Sequence, residues 1–163
     1  MMVIVILDAD FLSAMLKIGR LGLVRDFYQV EDLYIAPAVH REIAQTNLPA
    51  QLVALPWVVL TAPDPEDLEN LREDEDFCRL GAGDQASIAL ALATEQATLL
   101  TNDNRCRGLA ADLGVTVVNI PAFLLVCKMA GQLTTDELRA IIEDLWQQDH
   151  YKFRRDIEEY LLA

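Results

Sequence analysis

Residues 3–7 form an unbroken apolar, largely β-branched run, the pattern of a strand buried on both faces. Apolar positions then recur at helical spacing over about 11–18 and 21–29, two helices divided by Gly19. A second strand is expected over 33–36. Pro37 then opens a helix to about Gln45, because proline suits the first helical position. A third strand is expected at 57–60, an acidic helix from Pro65 to about Leu80, and a break at Gly81 and Gly83. A helix over about 84–96, a strand at 98–101 and a helix at 104–113 follow, the last closed by Gly114. The pattern ends with a strand at 115–119, a helix from Pro121 to Ala130, and two amphipathic helices. The first of these starts with a Thr134 to Glu137 capping box and runs to about Gln148; the second covers 151–162.

Strands alternating with helices predict a three-layer α/β/α fold with a central parallel sheet. The 163 residues fit one domain, with an α/β core over about 1–120 and C-terminal helices over about 121–163. With 53% hydrophobic residues the chain can bury a core without disulfides. Cys78, Cys106 and Cys127 are far apart in sequence, an odd set read as buried, reduced thiols. Two histidines and no paired cysteines leave no structural zinc pattern. No apolar run reaches the length of a membrane span. Residues 1–7 lack a basic leader region and a small-residue cleavage site, so the expectation is a cytoplasmic protein with no membrane partner.

The net charge of −13 complicates any reading that involves nucleic acid. Much of the excess lies in residues 63–76, where eight acids face the single Arg72; a solvated helix face, or a dock for a basic segment, accounts for it. Basic residues gather elsewhere: Lys17, Arg20 and Arg25; Arg105 and Arg107; Lys152, Arg154 and Arg155.

In parallel α/β sheets the site lies at the carboxyl ends of the strands. Asp8 directly follows the first expected strand and Asp103 closely follows the fourth. Glu42 lies on the helix after the second strand, and Asp84 begins the helix leading into the fourth. Each has an ordinary explanation alone: Asp8, Asp84 and Asp103 as helix caps, Glu42 as a surface residue. Four acids converging on one point repel each other and call for a counter-charge. Oxygen ligands without a histidine or cysteine cluster favour Mg2+ or Mn2+. Paired ions of that kind can clamp a phosphoryl centre.

The sequence resembles the PIN-domain nucleases, which include VapC-type toxins. The resemblance is carried by Ile6-Leu7-Asp8-Ala9-Asp10-Phe11-Leu12, Val39-His40-Arg41-Glu42-Ile43, Gly81-Ala82-Gly83-Asp84 and Thr101-Asn102-Asp103, in that order. It implies a metal-dependent ribonuclease in which Asp8, Glu42, Asp84 and Asp103 are both metal ligands and catalytic residues. It also implies an RNA substrate, a homodimer and a small antitoxin partner. Thr101 and Asn102 would shape the site, and Asp10 would be an extra acid or a cap. Asn104 and Arg105 stand where many members carry a further acid, which implies a weaker second-ion site, and Arg105 would contact phosphates.

Two other readings compete. A catalytically degenerate PIN-like module would bind RNA or protein and cleave nothing. A haloacid-dehalogenase-like phosphatase would use Asp8 as nucleophile and Asp10 as general acid, but it leaves Glu42 and Asp84 without a role.

Overall fold

A computed structural model describes residues 2–163. The chain runs β1 (Ile4–Leu7), α1 (Ala9–Lys17), α2 (Leu21–Tyr28), β2 (Leu33–Ile35), α3 (Pro37–Ala44), α4 (Pro49–Val53) and β3 (Val58–Leu60). It continues α5 (Pro65–Leu71), α6 (Glu75–Cys78), α7 (Ala82–Leu92), β4 (Ala97–Leu100), α8 (Asn104–Asp112), β5 (Thr116–Val118), α9 (Ile120–Met129), α10 (Thr135–Asp149) and α11 (Arg155–Leu162).

All five strands are parallel, in the order β3-β2-β1-β4-β5. Alternate residues of the central strands serve opposite faces, as strand geometry requires. Val5, Leu7 and Leu100 pack on one side with Phe11, Met15, Phe123 and Leu138. Ile6 and Leu99 pack on the other with Phe77, Ile88 and Cys106. Helices cover both faces, which gives the expected three-layer α/β/α arrangement. Among the described residues no helix is long and apolar enough to cross a membrane.

The sheet register sets the stage for chemistry. Ile4 pairs with Ala97 and Leu7 with Leu100, so Asp8 and Thr101 leave the sheet side by side. The Asp8 amide still donates to Leu100 O at 3.0 Å, and the Thr101 amide donates to Val118 O at 3.0 Å. The ladder therefore fixes both residues up to the edge.

The structure differs from the sequence reading in several places; one is Cys78, expected to be buried, which is exposed and donates its thiol to Arg72 O at 2.9 Å. The acidic stretch is two short helices, because Asp74 accepts from the amides of Asp76 and Phe77 and starts α6 afresh. That restart lets Phe77 bury completely against the second core. Helix α7 starts at Gly81 as its N-cap and stops at Leu92, before the positive-φ turn at Gln96. Helix α4 is additional. Finally, His150 adopts a left-handed conformation (φ 54°), which ends α10 and leaves 151–154 outside any helix.

Candidate metal centre

Asp8 is the buried member of the cluster, with 2% of its surface exposed. It caps α1. Its Oδ1 accepts from the Ala9 amide at 2.6 Å and its Oδ2 accepts from the Thr101 hydroxyl at 2.8 Å. Burial, and then the adjoining Asp84 carboxyl, push its pKa up to about 8, against the pull of Thr101 and Ala9. Thr101 is itself fully buried and accepts from the Asp103 amide at 3.3 Å, so one hydroxyl ties together the two strand ends that carry Asp8 and Asp103.

Asp84 lies in the first turn of α7, two residues inside the helix, and is not its N-cap. Its pKa is raised by burial and by the charges of Asp103, Asp10 and Glu42, while the contact with Asp8 lowers it. Burial and mutual crowding therefore oppose ionisation of the Asp8 and Asp84 pair.

Glu42 enters from α3, which packs on α7. The residue is largely exposed, but its Oε1 turns inward and accepts from the Gly83 amide at 3.2 Å. Desolvation and Asp8 raise its pKa; the Gly83 bond opposes them. A β-carbon at Gly83 would stand 2.5 Å from that oxygen, so any side chain there would displace the Glu42 carboxylate from this position.

Asp103 caps α8, accepting from the Cys106 amide at 2.8 Å. It is exposed, and its charge acts on Asp84, Asp10 and Cys106. Asp10 accepts from the amides of Phe11 at 2.7 Å and Asn102 at 3.2 Å. Its side chain reaches solvent, yet desolvation by the surrounding chain and then the Asp8 charge push its pKa up to about 6.

Other residues singled out in the sequence divide. The Asn102 side chain accepts from the Ile120 amide at 3.2 Å and so ties the β4 loop to α9. Asn104 accepts from Arg107 at 3.1 Å. Arg105 turns away to a hollow that it shares with Asp76, Arg79 and Asp112.

In the sequence Cys106 reads only as a buried thiol, yet its sulfur belongs to this group. Ligand atoms of Asp8, Asp84 and Cys106 lie within 4.8 Å of one another. Its position three residues after Asp103, facing back along the first turn of α8, is the available signal. Burial and the charges of Asp8 and Asp84 push the thiol pKa up, so Cys106 stays protonated and serves as floor.

The donor set suits a hard divalent cation. Six ion pairs occur among the described residues and none involves Asp8, Asp10, Glu42, Asp84 or Asp103. Five acids thus gather without a basic side chain to offset them. Carboxylate oxygens outnumber the single sulfur in this group, and oxygen ligands are the chemistry of hard divalent cations.

Comparison with known families gives one match: a family model described as a PIN domain aligns with residues 4–161. No curated protein gives a significant match.

Proposed function

Because the chain belongs to the PIN-domain family, whose fold is nuclease-like, we propose that it is a ribonuclease dependent on Mg2+ or Mn2+. The observation that carries this reading is the convergence of Asp8, Asp84 and Glu42 with no cationic side chain in place to neutralise them. Asp8, Glu42, Asp84 and Asp103 are the proposed ligands. The cation, when bound, supplies an acidified water and a counter-charge for phosphoryl oxygens.

The rest is positioning by this chain. Thr101 and the Ala9 amide hold both Asp8 oxygens in a fixed plane. The Gly83 amide anchors one Glu42 oxygen and leaves the other free. Asp103, with one oxygen held by the Cys106 amide, would add a further carboxylate to the cluster. Asn102 links this edge to α9 and orients the loop past which an RNA phosphodiester would lie.

As a VapC-like toxin the chain would act in the cytoplasm, form a homodimer and be held by a small antitoxin. Met129 and Trp146, exposed on α9 and α10, supply apolar surface for such contacts. A degenerate binding module is the second reading, favoured by Asn104 and Arg105 where a further acid is common in the family.

The test is cleavage of single-stranded and structured RNA by purified protein with manganese, magnesium or chelator. Metal-dependent cleavage that disappears in Asp8→Asn supports the ribonuclease. Absence of both cleavage and manganese binding would sink it and leave the binding module.

A further inference from the structure

Next to the acid cluster lies a cleft of about 740 Å³, walled by the β4 loop, α9, residues 151–154 and α11. Its volume falls within the range of pockets that hold small organic ligands. The chain carries 26 acidic residues, yet none lines this cleft. Arg107, Lys152 and Arg154 do, together with Tyr151, Tyr160 and three asparagines. Two basic clusters 45 residues apart in sequence therefore meet in one place. Arg107 and Lys152 have no ion-pair partner among the described residues; Arg154 pairs with Asp156 at 2.8 Å.

The cleft is continuous with the acid cluster through Asn102. Its amide donates to Asp10, while its side chain lines the cleft together with Tyr151. Tyr160 projects into the same cleft from α11 with 66% of its surface exposed. Cations without ion-pair partners and an exposed aromatic face lining one cleft are what a single-stranded nucleic acid requires: charge for phosphates and a platform for a base.

We propose that this cleft is the track for the single-stranded RNA flanking the cleaved bond, with Arg107 and Lys152 on successive phosphates and Tyr160 stacked on a base. The proposal rests on the ribonuclease reading for its choice of ligand, but binding tests it separately from cleavage. The track also answers the objection raised by the −13 charge. An acidic protein repels polynucleotide over most of its surface, and a local acid-free path directs the strand to the metal edge.

The experiment measures anisotropy of a fluorescein-labelled single-stranded RNA of about 12 nucleotides, in chelator, across a salt series. Manganese-dependent cleavage is read in parallel. Arg107→Gln/Lys152→Gln is expected to weaken binding about tenfold or more. It should also flatten the plot of log affinity against log salt by about 1.4, near 0.7 for each phosphate no longer neutralised. Tyr160→Ala should weaken binding about tenfold with the salt slope unchanged. Arg139→Gln, on the exposed face of α10, should change neither. Melting temperature and manganese binding of each variant check its fold. Duplex RNA of the same sequence should bind more weakly, because paired bases cannot reach Tyr160.

Wild-type affinity and slope in the double variant would overturn the track; if the wild type still cleaves RNA, the nuclease reading survives. A wild type that binds no RNA at any salt also overturns it. Weakened binding by the cleft variants in a protein that cleaves nothing would uphold the cleft as a single-stranded RNA site and overturn the nuclease reading.

Discussion

Residues 64–76 hold eight carboxylates in one stretch of sequence, while the cluster beyond β1 and β4 draws five from positions 8 to 103. In the first region most of the acids face water. Asp64 and Asp74 cap short helices, and Glu69 and Asp76 pair with Arg72 and Arg79 at 3.8 and 3.5 Å. In the second region Asp8 is buried, three neighbouring carboxyls are pushed toward protonation, and no basic side chain among the described residues pairs with them. The denser region in sequence is the electrostatically relaxed one. Convergence and desolvation, more than count, distinguish a site from a solvated surface.

The strongest way to break this comparison is to neutralise one acid in each region. Asp8→Asn is expected to lower RNA cleavage by about a thousandfold or more, the scale of several kcal/mol of lost Lewis-acid assistance. The metal-free variant should melt no lower than wild type, since an amide cannot ionise in the buried, crowded site. Marked unfolding would instead make Asp8 chiefly a cap.

Next in size is Gly83→Ala. Helix preference alone would favour alanine by about 1 kcal/mol. The added methyl meets Glu42 Oε1, however, so manganese affinity should fall roughly 10- to 100-fold, as when a ligand's support is lost. Gly108→Ala, with nothing within 4 Å of the new carbon, should leave affinity alone. Isothermal titration with manganese separates the two, and equal affinities would show that Glu42 does not need that space.

The third test is pH. In chelator, folded Asp8 keeps its proton up to about 8, whereas an unperturbed aspartate loses it near 3.8. The folded state therefore binds more protons across that window. This contribution is most favourable below about pH 4 and is lost as pH rises through about 8. Asp10 adds the same sign between 3.8 and about 6. Wild type minus Asp8→Asn, compared by thermal melting between about pH 5 and about pH 8, should show wild type losing ground as pH rises. Manganese should restore more stability at the upper end. Parallel pH profiles would contradict the buried, crowded state of Asp8.

The smallest effect is expected from Asp74→Ala in the relaxed region. Loss of that cap should cost about 1 kcal/mol in denaturant unfolding and leave manganese affinity unchanged. A change in affinity would mean that the two regions communicate, and Gln85 is the route to examine. Its amide holds the carbonyls of Phe77 and Leu80 at 3.2 and 2.9 Å, one residue from Asp84.

Much of this is legible in the chain. The apolar runs locate β1 and β4, and the strand-end rule points to Asp8 and Asp103 without any structure. The site's supports are harder to see. Asp84 looks like a cap because it follows glycine, but the true cap is Gly81, and only the placement of α7 shows Asp84 facing Asp8. Cys106 looks like any buried thiol, because its neighbours come from three other elements. The continuous acidic helix gives way to two because a local cap at Asp74 outweighs helix propensity over the stretch. The meeting of Arg107 and Lys152 in one cleft depends on how residues 151–154 and α11 fold back beside α8 and α9, which no local pattern encodes.

The strand order has a consequence in time. The first strand made is the middle one, and its partner on one side, β4, begins at Ala97. A ribosome adding about 5–20 residues per second leaves β1 without that neighbour for roughly 5–20 s. During that interval an apolar strand edge stands open in the nascent chain, and Asp103 does not yet exist. The chain is thus most adhesive while it cannot assemble its acids, and the step that covers the edge is also the step that brings them together.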